Sequence, residues 1–152
     1  MKKYSNEKFV LDTSVLIEYI IKRAPYRKKV EEIFNKSIQG EIKLYVPTTT
    51  LSELIYVASR VYKAANISEP NKEAINYAEW IKINTTIIEI TEEIALKAGE
   101  LKKELRIALP DCYVIATAQK MKATPLFKRK EKEMIKIEDK LRKLGVKFLN
   151  EI

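Results

Sequence analysis

The chain has 152 residues, of which 46% are apolar and 33% are charged, which fits one globular domain and excludes a disordered protein. It has no histidine and one cysteine, Cys112, so histidine bases, histidine-containing zinc sites and disulfides within the chain are excluded. The formal net charge of +8 favours an acidic partner such as a nucleic acid.

Short apolar strands alternate with amphipathic helices along the whole chain. Strands are predicted at 8–12, 42–47, 85–90, 123–127 and 146–150. Helices are predicted at 14–23, 26–40, 50–66, 68–84, 91–108, 110–121 and 130–145. This alternation predicts a single α/β domain over residues 1–152, a three-layer sandwich with a central, mostly parallel sheet.

The composition also bears on where the protein works. A single cysteine indicates a reducing, cytoplasmic compartment. The first residues, "MKKYSNEKFVLD", have no apolar stretch long enough for a signal peptide, and no window approaches a membrane span. The abundance of Lys, Glu and Ile leans towards a thermophile, although an AT-rich genome gives the same bias.

The few glycines and the uneven distribution of charge limit which kinds of ligand-binding site the chain is expected to form. The three glycines form no phosphate-binding pattern, so dinucleotide and P-loop sites are not expected. Residues 120–147 hold eleven Lys or Arg and four Asp or Glu, so most of the positive excess lies in this one stretch.

Three acidic residues stand at the starts of helices, and each has a structural explanation as well as a functional one. Asp12 ends the first strand; it would cap the next helix, although Thr13 and Ser14 also offer caps. Glu53 ends "TLSE", which matches a capping box. Asp111 follows a proline in the first turn of its helix, where negative charge complements the helix dipole.

The same three acids also predict a shared site. In a parallel sheet the carboxyl ends of the strands meet at one edge, which is where ligands bind. Carboxylates that converge there without basic partners repel one another, and a divalent cation relieves that repulsion. With histidine absent and a single cysteine, oxygen ligands remain, which points to Mg²⁺ or Mn²⁺.

The ordered set "FVLDTSVLIEYI", "VPTTTLSELIYV" and "IALPDCYVIATAQKMKATPLF" resembles the PIN-domain family, and within it the VapC-type toxin ribonucleases. The resemblance implies a ribonuclease, a hydrolase that uses Mg²⁺ or Mn²⁺ to activate the attacking water. It assigns Asp12, Glu53 and Asp111 as catalytic, metal-binding acids. Thr13 or Ser14 supports them through its hydroxyl.

The sequence departs from the family pattern at the position of a fourth acid. Family members commonly carry a T-x-D stretch after the strand that follows the Asp111 helix, whereas this chain has "PLFKRKEKEM" there. Glu131 is the best match for that acid, with Glu133 second. Lys128, Arg129 and Lys130 are candidates for contacts with RNA phosphates. The alternative is a solvated helix start with i,i+4 charge pairs.

Three functions stay open at this point. The first is the toxin of a type II toxin–antitoxin pair, which the family implies would form a homodimer and bind a small antitoxin. The second is a PIN-like RNA-processing nuclease outside such a pair. The third is a catalytically weak RNA- or protein-binding module. Apolar helix faces around Leu54, Val57 and Val61 are the candidate dimer surface.

Overall fold

A computed structural model describes residues 6–152. The strands of its sheet are β1 (Lys8–Leu11), β2 (Lys43–Pro47), β3 (Thr86–Ile88), β4 (Thr124–Phe127) and β5 (Lys147–Phe148). The helices are α1 (Thr13–Ile20), α2 (Arg27–Ile38), α3 (Thr48–Ala64), α4 (Pro70–Asn84), α5 (Glu92–Leu105), α6 (Leu109–Met121), α7 (Lys132–Ile135) and α8 (Glu138–Lys143).

The five strands form one sheet in the order β3-β2-β1-β4-β5, and every neighbouring pair is parallel. The predicted α/β sandwich with a parallel central sheet is therefore confirmed. The order in which strands are added reverses at β1, since β2 and β3 lie on one side of it and β4 and β5 on the other. Ligand sites of open parallel sheets lie outside the carboxyl ends of the strands at such a reversal.

Successive residues of β1 enter different cores because side chains alternate between the two faces of a strand. Phe9 and Leu11 join the core that α1–α4 cover. Val10 joins the core that α5–α8 cover. Three layers follow from this alternation, with the sheet buried on both faces, as the apolar strands predict.

The region after β4 differs from its prediction. The single helix expected at 130–145 is wrong, because α7 ends at Ile135 and α8 begins at Glu138. Ile137 interrupts the helix with φ −123° and ψ 25°. The strand expected at 146–150 is only Lys147–Phe148, and a 3₁₀ turn follows at Leu149–Glu151.

Three local features of the helices also bear on the sequence analysis. Thr91 caps α5, since its hydroxyl accepts from the backbone N–H of Ile94 at 3.2 Å. Gly40 takes the left-handed conformation after α2, with φ +78°, which favours glycine. Leu54 is fully buried, so its assignment to an exposed dimer surface is wrong.

Over residues 6–152, none of the helices combines the length and apolar character that crossing a membrane requires.

Candidate active site

Asp12 lies at the carboxyl end of β1, where the chain turns into α1. Its backbone N–H donates to the carbonyl of Leu126, which continues the pairing of β1 with β4. Its Oδ2 accepts from the backbone N–H of Ser14 at 3.1 Å and from Ser14 Oγ at 2.6 Å. Asp12 is thus the cap of α1, which confirms its structural explanation, and neither Thr13 nor Ser14 caps this helix.

Glu53 reaches the same place from α3. That helix begins at Thr48, so Glu53 lies beyond its first turn and the capping box predicted in "TLSE" is wrong. Its Oε1 instead accepts from Thr13 Oγ1 at 3.1 Å. The hydroxyl of Thr13 therefore contacts Glu53 on α3, and the hydroxyl of Ser14 contacts Asp12 at the end of β1.

Asp111 lies in the first turn of α6, with Pro110 just before it. The helix begins at Leu109, one residue earlier than the predicted start at Pro110. Most of the following residues of α6 are fully buried, so the helix is central to its layer and holds its first turn against the sheet. The helix dipole favours negative charge in this turn.

These acids share one pocket of about 460 Å³. Every acid and hydroxyl proposed from the sequence lines it, together with two of the three basic candidates; these residues are Asp12, Thr13, Ser14, Glu53, Asp111, Lys128, Arg129, Glu131 and Glu133. Lys130 is the basic candidate outside this lining. Its ammonium lies 2.7 Å from Glu138 Oε1.

The pKa values of Asp12, Glu53 and Asp111 are raised in the pocket. Burial raises the pKa of Asp111 to about 8, and the charges of Asp12, Glu53, Glu131 and Glu133 add to the shift. Burial also raises the pKa of Glu53, with a further contribution from Asp12. The pKa of Asp12 is raised by burial despite its hydrogen bonds with Ser14. Carboxyl groups with raised pKa values are stabilised by binding a proton or a cation.

The donor set fits a hard divalent cation. Carboxylate oxygens are the ligands that Mg²⁺ and Mn²⁺ take, and a cation would relieve the repulsion that adds to these pKa shifts. Within residues 6–152, however, no three acidic or cysteine side chains are grouped closely enough to form a metal centre as they stand.

Sequence reasoning missed one acid of this pocket, Glu18 on α1. Its side chain is only 1% exposed, and its Oε2 lies 2.8 Å from the ammonium of Lys128. A signal was present in "SVLIEYII", where a charged residue interrupts an otherwise apolar helix one turn after Ser14.

The model of the PIN domain family matches residues 9–142, a span that contains Asp12, Glu53, Asp111 and Glu131. The chain belongs to the PIN domain family. That match spans most of the chain and confirms the resemblance drawn from the three motifs. A comparison with curated proteins finds no match.

Solved structures of the same fold cover almost the whole chain. VapBC2 from Rickettsia felis, bound to a promoter DNA fragment, is 18% identical with a TM-score of 0.66, covering 93% of this chain and 98% of the other. DNA-bound VapBC from Salmonella typhimurium is 18% identical with a TM-score of 0.65 (93% and 96% covered). A toxin–antitoxin complex from Klebsiella pneumoniae is 20% identical with a TM-score of 0.57 (92% and 96% covered). These likenesses establish the PIN fold.

Proposed function

We propose that this PIN domain is an endoribonuclease that hydrolyses RNA phosphodiester bonds with Mg²⁺ or Mn²⁺, and that it is the toxin of a type II toxin–antitoxin pair. The observation that carries the proposal is the convergence of acids from β1, α3 and α6 on one pocket at the carboxyl-end edge of the sheet. The neighbours described as VapBC or toxin–antitoxin complexes support the toxin assignment.

The roles of the residues follow from their contacts. Asp12, Glu53 and Asp111 would hold the ion, and Glu131, on the same pocket, is the candidate fourth ligand. When bound, a divalent ion supplies charge that stabilises a phosphoryl transition state and lowers the pKa of water. Thr13 and Ser14 orient Glu53 and Asp12 through their hydroxyls.

The basic residues of the β4–α7 loop supply attraction for the RNA backbone. Lys128 and Arg129 line the pocket, so they are placed to contact phosphates near the acids. We also propose that Lys130 contacts an RNA phosphate outside the pocket. It would have to release its ion pair with Glu138 to do so.

The proposal includes two protein partners and a compartment. A small antitoxin would cover the acidic pocket, and two copies of the chain would form a homodimer. Ile55 and Tyr56 on α3, which are 38% and 50% exposed, offer apolar area for one of these contacts. The protein would act in the cytoplasm, where its RNA substrate is found.

Cleavage of labelled RNAs tests the nuclease directly. Wild type and Asp111→Asn are compared with Mn²⁺, with Mg²⁺ and with EDTA. We expect cleavage by wild type with either ion, none in EDTA, and a loss of cleavage in the variant. If wild type is inert with both ions on every RNA, the nuclease assignment fails.

One observation favours a second candidate, a catalytically weak RNA- or protein-binding module. The stretch "PLFKRKEKEM" lacks the T-x-D acid that family members commonly carry, and Glu131 is only its best match. Mn²⁺ titration separates the two, since Asp12→Asn should weaken divalent binding in a nuclease and leave it unchanged in a binding module. An RNA-processing nuclease would share the metal dependence and differ in its RNA substrate and in needing no antitoxin.

A further inference from the structure

Lys128, the first residue after β4, is attached to α1 at both its ends. Its backbone N–H donates to Ser14 Oγ at 3.1 Å, and its ammonium lies 2.8 Å from Glu18 Oε2. Ser14 and Glu18 are four residues apart on α1, so they lie on the same face of the helix, one turn from each other. The lysine is therefore held against α1 along its length.

Glu18 is built into the protein interior. Its Oε1 accepts from the backbone N–H of Tyr26 at 3.0 Å, in the segment that follows α1. Its side chain is 1% exposed, whereas the side chain of Lys128 is 24% exposed. Its Oε1 is therefore held by a hydrogen bond and its Oε2 by the ion pair with Lys128, and the lysine keeps access to solvent at the pocket, which both residues line.

The stability of the fold does not by itself explain this pair. Replacing a buried ion pair with apolar residues of similar volume is often neutral or stabilising. An apolar pair, however, would remove the Lys128 charge from the pocket lining. An ammonium group has three N–H donors, so the ion pair with Glu18 leaves donors for another acceptor.

Ser14 joins this arrangement to the acids. Its hydroxyl donates to Asp12 Oδ2 and accepts from the Lys128 backbone N–H. The backbone of Lys128 is therefore placed relative to Asp12 through one shared side chain. A phosphate group that approached the acids would meet a cation at a fixed position, in contrast to the freely moving lysines of a protein surface.

We propose that Glu18 is a positioning residue that holds the Lys128 ammonium at the pocket wall, where it binds a phosphate oxygen of the RNA. The inference rests on the proposed nuclease function and assigns that site its phosphate-binding group. In this arrangement Lys128 touches the substrate, and Glu18 acts only through Lys128.

The test compares wild type with Glu18→Gln, with the double variant Glu18→Gln/Lys128→Met, and with Lys136→Met. The double variant avoids leaving a buried carboxylate without its cation, which would risk unfolding. Lys136→Met is the matched control, because it removes one exposed lysine from the same region outside the pocket lining. Thermal midpoints establish that each variant is folded.

Binding of a labelled single-stranded RNA is measured first, in EDTA and over a series of salt concentrations. Each phosphate that a basic side chain neutralises contributes about 0.7 to the slope of log K against log salt for single strands, so losing one such contact lowers the slope by that amount. We expect that loss in the double variant and a smaller loss in Lys136→Met. Equal slopes in the two variants would overturn the proposal that Lys128 holds a phosphate.

Steady-state cleavage with Mn²⁺ then tests the positioning role. Glu18→Gln keeps the lysine charge but frees the ammonium, so we expect kcat to fall about 10-fold or more, with a smaller change in KM and an unchanged salt slope. Wild-type kcat in folded Glu18→Gln would overturn the role of Glu18. If wild type itself does not cleave RNA, the nuclease proposal fails, while the salt slopes in EDTA still decide whether Lys128 binds phosphate.

Discussion

Two groups of charged side chains on either side of the β4–α7 loop have opposite electrostatic character. In the pocket, Asp111 faces other acids, and burial together with their charges raises its pKa to about 8. On the surface, Glu138 lies 2.7 Å from Lys130 and 2.8 Å from Arg142, and these hydrogen bonds lower its pKa. One loop supplies a cation to each group, Lys128 to the pocket and Lys130 to the surface.

The difference between the two groups indicates which one has a function beyond stability. Paired charges on a surface help the fold a little, and their arrangement needs no other explanation. Like charges gathered in a partly buried pocket oppose folding, so their retention there points to a ligand. Each variant below changes one side of this contrast.

The largest effect is expected from Asp12→Asn, which removes a central carboxylate of the pocket while keeping its shape. We expect cleavage with Mn²⁺ to fall about 10²–10³-fold, the loss typical for one group that stabilises developing charge. Asp139→Asn is the matched control, an exposed aspartate on α8 outside the pocket. A similar loss in both variants would show that the effect is not specific to the pocket.

A smaller effect is expected from Thr13→Val, which removes the hydroxyl that donates to Glu53 Oε1 and keeps the side-chain volume. Partners of metal ligands typically contribute about 10–100-fold to metal affinity or activity. We expect a loss in that range in Mn²⁺ titration and in cleavage. Ser52→Ala is the control, because this exposed hydroxyl on α3 donates to the carbonyl of Thr49. Unchanged Mn²⁺ affinity in Thr13→Val would exclude the supporting role.

The layer architecture could be predicted from the sequence because each strand is a short apolar run followed by a helix. That pattern predicts parallel strands, and parallel strands place their carboxyl ends at one edge. The acids Asp12, Glu53 and Asp111 therefore converge on the pocket as expected. The order of the strands depends on tertiary packing, which single runs of residues do not encode.

The errors have identifiable physical causes. Met134, Ile137 and Leu141 repeat with a helical spacing that fits one helix as well as two, so the interruption at Ile137 has no signal in the pattern. The capping box at Glu53 failed because α3 begins at Thr48 and Glu53 is drawn to Thr13 across the site. Glu18 was missed because the partner of a buried charge, here Lys128, lies far away in sequence.

A stability effect is expected from Asp111→Asn in the metal-free protein. The folded pKa of about 8 lies above the ordinary value of 3.8, so the folded state binds the proton more tightly. The stability that this group contributes is full below pH 3.8 and is lost as the pH rises through 8. Removing the charge should therefore stabilise the protein at high pH and have little effect at low pH.

Thermal melts in EDTA at several pH values check this expectation. We expect Asp111→Asn to melt above wild type at pH 9, by about 2–4 °C for each kcal/mol of repulsion removed. Added Mn²⁺ should raise the midpoint of wild type more than that of the variant, because only wild type keeps all of the proposed ligands. A difference between the two proteins in EDTA that does not depend on pH would contradict the assignment of repulsion at Asp111.

The smallest effect, with the opposite dependence on pH, is expected from Glu138→Gln. The folded pKa of Glu138 is lowered, so its pairing stabilises the protein above its ordinary value of 4.5 and is lost as the pH falls through the folded value. The variant should melt slightly below wild type at neutral pH and match it in acid. Because the pairs with Lys130 and Arg142 are partly exposed, added salt should reduce the difference at neutral pH.

Melts of Glu138→Gln and Asp111→Asn over the same pH and salt series would place the two variants on opposite sides of wild type. If both variants shifted stability in the same direction with pH, pairing and repulsion would not be what separates the surface from the pocket.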